Sequence, residues 1–397
     1  MSNLANGSGD IQRVNAAGNA QNLIDLIAKL PIPGVAKVLD PISALFNFFE
    51  TSALEEVLAD VKHSNTLLEN SYNVTMAALR IKTIQDLVDG ALRDINSLAG
   101  ELKFDERLGG YEQDVLGTAR KRIDTLNDSG LQALQTATRF LEDFETATGA
   151  GSGQLIDLIG HYAYGITQAL HCVSLAQYGM NMVQHHNALL QAAGKLTNAD
   201  VALASRAARL SGDLYGFAQG FVEKDIPVNY PSWCRPIFLG EPASIGNVAK
   251  PGYRIGDYVY SADYTKRVAH PTRDGSVLCC LTKDVPAAQI TIKLLENHNR
   301  ETAEVWEIWQ VSKTTTPARK WFTIHYGGYG MQGPPVLFNP HPKGQNDVYY
   351  DHWAIQYYEK KLVFVEAGSE NALSSDNTAI WPVTYHPGEK KSQWYFL

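Results

Sequence analysis

LIGHYAYGITQALHCVSLAQYGMNMVQHHNALLQAAG, residues 158–194, contains no Asp, Glu, Lys or Arg, in a chain of which 19% is charged. As one helix the stretch is about 55 Å long at 1.5 Å per residue, well beyond the roughly 30 Å of bilayer hydrocarbon. Length alone lets it span. Tyr162, Tyr164, Thr167, Gln168, His171, Ser174, Gln177, Tyr178, Asn181 and Gln184 nevertheless interrupt any continuous apolar run, so it is not an ordinary membrane anchor. Ile159, Ala163, Ile166, Leu170, Val173, Met180 and Val183 step by three and four, with Ala176 filling the gap. The result is an apolar stripe opposite a polar, uncharged face. Such a helix suits the centre of a soluble bundle, or a membrane in which the stripe meets lipid and the polar face lines water. A water-soluble pore former needs both.

The 397 residues suffice for two or three domains, each with a core of its own. All seven Trp (Trp233, Trp306, Trp309, Trp321, Trp353, Trp381, Trp394) and thirteen of the nineteen Tyr lie from position 230 onward. The first half is rich in Ala, Leu, Asn and Gln, and the seam falls near Asp225 to Pro236. Residues 1–225 hold 17 Lys+Arg against 26 Asp+Glu, net −9, and residues 226–397 hold 17 against 16, net +1, which together give the chain's −8. An acidic half joined to a neutral aromatic half excludes a nucleic-acid grip, which needs a clustered basic face. Cys172, Cys234, Cys279 and Cys280 do not form a disulfide framework. Met1 to Ala20 is polar and Gly/Asn-rich without the apolar core of a secretory signal, so synthesis as a cytosolic protein and release by a route without a signal peptide are expected. No nucleophile, base and orienting group occur together in a known catalytic motif, so no enzyme and no cofactor are expected. His185-His186 is a poor metal pair, because adjacent helical residues diverge by about 100°, and no metal site is expected.

The helical half begins with an amphipathic segment, residues 21–30, stopped by Pro31 and Pro33. Asp40-Pro41 then supplies an N-cap acid and a proline at the first helical position. Long helical patterns run from Ser52 to Leu108, loosened at Gly90 and Gly100, and from Tyr111 to Thr148. A Gly-Ala-Gly-Ser-Gly hinge, Gly149 to Gly153, leads into the uncharged helix, which Gly194 ends. Thr197-Asn198-Ala199-Asp200 fits a capping box for a last helix reaching Glu223. Charge runs such as Arg120-Lys121-Arg122 and Glu142-Asp143-Glu145 mark the flanking helices as a solvated shell.

The stretch Asp25-Leu26-Ile27-Ala28-Lys29-Leu30-Pro31-Ile32-Pro33-Gly34-Val35, leading into Ile42-Ser43-Ala44-Leu45-Phe46-Asn47-Phe48-Phe49, resembles the opening of the helical pore-forming domain of insecticidal Cry δ-endotoxins. The resemblance covers residues 20–225 in layout, and other α-helical pore formers of the haemolysin E type share it. It implies amphipathic helices around one hydrophobic central helix, with a helical hairpin that inserts into the gut membrane.

The aromatic half repeats itself. Val305-Trp306-Glu307-Ile308, His352-Trp353-Ala354-Ile355 and Gln393-Trp394-Tyr395-Phe396 share a Trp-x-Ile/Phe signature. Strand-like runs recur as Tyr253-Arg254-Ile255, Trp321 to Ile324 and Leu362 to Val365, and again as Val277 to Cys279, Val336 to Phe338 and Ala379 to Trp381. Three copies of short strands predict a closed β structure with pseudo-threefold symmetry. The segment Lys250 to Leu397 resembles the ricin-B-like β-trefoil lectins, whose repeats end in Gln-x-Trp; Glu304, Asp351 and Ser392 stand here where that family has Gln.

A sugar pocket pairs an aromatic face with a carboxylate or amide that takes hydroxyls. The local candidates are Asp263, Tyr264 and His270; Tyr329, Asn339, His341 and Asp347; and Asn371, Asp376, Asn377 and Trp381, the last group favoured because Trp381 adjoins a polar loop. The expected architecture is therefore an α-helical bundle with a central uncharged helix over residues 1–225, a linker over 226–249 and a β-trefoil over 250–397. The expected function is a soluble, insecticidal pore-forming toxin. Its trefoil binds a cell-surface glycan or glycoprotein receptor, its bundle inserts into target-cell membrane lipid, and it homo-oligomerises in the pore. The alternatives are a non-toxic lectin whose helical half oligomerises it, and an intracellular interaction protein with a degenerate trefoil.

Overall fold

The computed structural model describes residues 75–102, 113–147, 152–257, 259–260, 267–268, 277–283, 288–294, 306–311, 319–325, 336–339, 349–350, 352–366, 370–376, 379–386 and 388–397. The Pro/Gly-broken opening, residues 25–49, lies outside them, as do Gly149 to Gly151. The described residues divide into two compact units, one drawn from Met1–Phe144 and Gly160–Asn229, the other from Glu145–Ile159 and Tyr230–Leu397. Helices fill the first and a curled antiparallel sheet fills most of the second.

Among the described residues four long helices carry the first unit: α1 Thr75–Glu101, α2 Gln113–Ala147, α3 Leu155–Ala192 and α4 Asn198–Gly220. Gly90 and Gly100 do not interrupt α1. Gly194, at φ +69°, ends α3 as a left-handed C-terminal residue, and Lys195 N donates to Leu190 O at 2.9 Å. The capping box starts α4: Thr197 N donates to Asp200 Oδ2 at 2.9 Å, and Asp200 N donates to Thr197 Oγ1 at 3.3 Å. A π-helical turn, Phe221–Asp225, and the one-turn α5, Ile226–Val228, follow.

Helix α3 touches each of the others. Gly165 packs on Phe140 and Gly179 on Leu126, so α2 and α3 run antiparallel. Gly179 also faces Ile95 and Leu98 of α1, while Gln177 bonds Ser211 of α4. These close approaches rest on missing side chains, since a Cβ on Gly165 would stand 2.5 Å from Phe140 Cε1. On the outside, Arg122 bridges Asp94 at 2.7 Å and Glu101 at 3.5 Å, and Arg206 meets Asp124 at 2.6 Å. Such part-exposed pairs contribute about 0–1 kcal/mol each, so burial and not charge holds the bundle.

The second unit carries β1 Ser152–Gln154, α6 Arg235–Leu239, β2 Ile245–Asn247, β3 Lys250–Asp257, β4 Val259–Tyr260, β5 Arg267–Val268, β6 Val277–Thr282, β7 Ile290–Leu294, β8 Trp306–Val311, β9 Arg319–His325, β10 Val336–Asn339, β11 Tyr349–Tyr350, β12 His352–Tyr358, β13 Lys361–Glu366, β14 Asn371–Asp376, β15 Ala379–Thr384 and β16 Trp394–Phe396. One set of antiparallel pairs returns on itself: β7–β8, β8–β12, β12–β13, β13–β16 and β16–β2, with Ala243 just before β2 bridging back to Ile290 of β7. Three further pairs, β3–β6, β9–β10 and β14–β15, branch from it, and β6 joins both β10 and β15. Glu359 and Lys360, at φ 47° and 63°, form the tight turn between β12 and β13. Inside lie Trp353, Trp394, Ile355, Leu362, Phe364 and Ile308, all buried. Trp394 Nε1 donates to Leu373 O at 3.0 Å, so this indole is spent on the core.

The pairings reassign one repeat landmark. Spacing makes Trp306, Trp353 and Trp394 equivalent, yet Trp306 stands directly opposite Trp353 in the β8–β12 ladder. Two residues that face each other across a ladder occupy partner strands, so Trp306 begins a strand and is not a third copy of the buried Trp353 and Trp394 position.

Candidate functional site

From Leu158 onward helix α3 is the uncharged stretch, and its surroundings differ from the two-faced helix expected. Of the stripe, Ile166, Leu170, Val173, Met180 and Val183 are buried and Ala163 is half-buried, while the side chain of Ile159 lies outside the described set. The polar face is just as enclosed: Thr167, Gln168, His171, Ser174, Gln177, Asn181 and Gln184 are all buried. With helices on several sides, α3 has no solvated face along its middle. Among the described residues, no helix is long and apolar enough to cross a membrane.

Some of these polar groups are satisfied. Gln177 Nε2 donates to Ser211 O at 2.7 Å, and Ser211 Oγ donates back to Gln177 Oε1. Ser174 Oγ donates to Leu170 O at 2.8 Å, Tyr162 OH to Ile226 O at 3.4 Å, and Gln85 Nε2 to Tyr164 OH. Others are not. Both ring nitrogens of His171, Oδ1 of Asn181, both amide atoms of Gln184 and, from α2, Oδ1 of Asn127 are buried without a hydrogen-bond partner. Burial pushes the His171 imidazole down to about 4, and raises Cys172 and Tyr178 to about 12.

At one end of the bundle His186 and Asn187 share a small cleft with Glu101 and Leu102 of α1, Val115, Leu116 and Ala119 of α2, and Asp200 and Leu203 of α4. Burial lowers the His186 pKa and the nearby Asp200 charge opposes the shift. No three His, Cys, Asp or Glu among the described residues converge to hold a metal ion.

The sugar candidates fare unevenly. Asp263, Tyr264, His270, Tyr329, His341, Asp347 and Asn377 lie outside the described residues. Asn339 ends β10, and only its backbone register, opposite Trp321, is described. In the β14–β15 hairpin Asn371 pairs with Thr384, Trp381 with Ser374 and Asp376 with Ala379. Asn371 and Asp376 therefore stand at opposite ends of an extended strand, about 17 Å apart at 3.3 Å per residue, too far to share one monosaccharide pocket. Trp381 and Asp376 share the distal part of the hairpin.

Sequence reasoning missed Ser211, the partner of Gln177, and the close packing at Gly165 and Gly179. A stripe of small residues at helical spacing, Gly165, Ala169, Cys172, Ala176 and Gly179, was the available signal. It also missed β1. No protein-family model matches the chain, and neither a curated protein nor a solved structure matches it.

Proposed function

We propose that this chain is a soluble pore-forming toxin, insecticidal in its target, whose helical half inserts into a membrane and whose C-terminal half binds a cell-surface glycan or glycoprotein. It acts without a cofactor, homo-oligomerises in the pore, and works at the target-cell membrane. The observation that carries the reading is the buried, uncharged and incompletely bonded polar surface of α3. Each stranded buried group costs about 1–3 kcal/mol, so His171, Asn181, Gln184 and Asn127 together cost roughly 4–12 kcal/mol. A typical domain has about 5–15 kcal/mol of net stability. A helix that lines water in a second state gives these groups partners, which offsets the cost there.

For the C-terminal half the finer reading is a β-trefoil. A ring of six strand segments with three branching hairpins is the connectivity such a fold requires, and the ring and hairpins described above support it. On that reading β7, β12 and β16 close the three repeats. The closing Trp is then present in two repeats as Trp353 and Trp394, while β7 carries Ile290 and Ile292 at the corresponding place.

A second reading is a non-toxic lectin whose helices oligomerise it. Release of trapped dye from vesicles of target-gut lipid separates the two. The toxin reading predicts release; intact vesicles together with binding to a glycan array select the lectin.

A further inference from the structure

The run expected to be a free hinge ends in an ordered strand. Ser152, Gly153 and Gln154 form β1, which lies at the end of the sheet and pairs antiparallel with β12 in the register Ser152↔Tyr358, Gly153↔Tyr357 and Gln154↔Gln356. Gly153 lies against the Tyr357 ring: a Cβ there would stand 3.1 Å from Tyr357 Cε1 and 3.2 Å from its hydroxyl oxygen. The Tyr357 ring also meets Trp233, centroid to centroid 5.9 Å at 44°. Trp233 is itself buried, and Tyr230 from the same segment stacks on Phe238 of α6 at 5.0 Å.

Helix α3 begins at Leu155, the residue after β1, so no slack separates strand from helix. Leu155 and Leu158 are buried, and this first turn groups with the sheet unit. Moving Leu155 away from β12 therefore has to break the β1–β12 ladder.

We infer that β1 is a strap: it fastens the N-terminal end of α3 to β12 beneath Tyr357, and its release precedes any exit of α2 and α3 as a hairpin. The inference rests on the membrane-insertion reading for its purpose, though the strap itself is a feature of the sheet unit. A three-residue edge strand is among the least stable parts of a fold, opening well below the global unfolding free energy. That is the property a release step needs. Tyr357 sets its strength, because its ring closes over the strand so tightly that a Cβ at 153 would crowd it at 3.1 Å.

Gln154→Cys combined with Gln356→Cys places two thiols opposite each other in the ladder, and the native Cys172, Cys234, Cys279 and Cys280 are buried away from oxidant. The full-length double variant is oxidised with diamide and added to dye-loaded vesicles of target-gut lipid. Dye release is expected to be about tenfold slower than after reduction with dithiothreitol, with both single-cysteine variants unaffected by diamide. Equal release from the oxidised and reduced forms overturns the strap. If the wild type releases no dye, the insertion reading fails, and hydrogen exchange in solution decides the strap separately. Amides of residues 152–154 are then expected to exchange about tenfold slower than a free chain, and Tyr357→Ala to abolish that protection while α2 amides stay unchanged. Free-chain exchange in the wild type overturns it.

Discussion

Replacing His171 with Leu is expected to remove most of an acid sensitivity built into the helical unit. The imidazole is fully enclosed, neither nitrogen has a partner, and burial alone takes its pKa from 6.5 to about 4. A histidine whose folded-state pKa lies below its unfolded value is held neutral by folding. The unfolded chain then binds the extra proton between these two values. Stability is accordingly intact above pH 6.5, falls as the pH drops towards 4, and levels off below. Each unit is about 1.4 kcal/mol, so the loss is about 2 kcal/mol by pH 5 and about 3 kcal/mol by pH 4. That is a large share of the roughly 5–15 kcal/mol a domain commands. At neutral pH, His171→Leu is expected to raise stability by about 1–3 kcal/mol, because it removes two stranded nitrogens at similar volume. Urea unfolding followed by far-ultraviolet circular dichroism, at pH 7.5 and pH 5, reports the helices. Tryptophan fluorescence serves as the internal control, since every Trp lies after position 230. An equal loss of helical stability between the two pH values in wild type and variant refutes the argument.

Packing and bonding elsewhere yield three further outcomes. Gly165→Ala forces a methyl against Phe140 and is expected to destabilise the bundle by about 1–3 kcal/mol, whereas Gly212→Ala, with no atom within 4 Å of its new Cβ, is expected to stabilise it by up to about 1 kcal/mol; thermal melts that move the same way for both contradict this. Gln177→Leu strands the Ser211 hydroxyl and is expected to cost about 1–3 kcal/mol, while adding Ser211→Ala recovers part of the loss, a non-additivity that a double-mutant cycle measures. Asn247 donates to Lys391 O and Gln393 O and accepts from Ala249 N and Ser375 Oγ. Asn247→Leu is therefore expected to cost the sheet unit more than about 2 kcal/mol by tryptophan-monitored unfolding, and a loss below about 0.5 kcal/mol counts against its structural role.

Local chemistry was legible in the sequence and long-range pairing was not. The start of α4 followed from Thr197 and Asp200 because a capping box acts within four residues. The end of α3 followed from Gly194 for the same reason. The absence of charge over residues 158–194 pointed to a buried central helix, since a charged side chain cannot be enclosed cheaply. It could not show that the polar face would be enclosed too, because that depends on neighbours supplied by other helices. β1 was invisible: Ser-Gly-Gln has no strand propensity, and its partner residues 356–358 lie some two hundred positions on. Trp306 shares the spacing of Trp353 and Trp394, yet spacing alone does not tell which strand a residue will pair with, and Trp306 faces Trp353 across the β8–β12 ladder. Among the sugar candidates, Asn371 and Asp376 are neighbours in sequence and distant in space, the geometry of any extended strand.

The claim that α3 leaves its bundle for a membrane is tested most directly by current recording across a planar bilayer of target-gut lipid with the full-length protein on one side. The account predicts discrete current steps that become more frequent when the solution is acidified from pH 7.5 to pH 5. A bilayer that binds the protein and stays insulating at both pH values contradicts it.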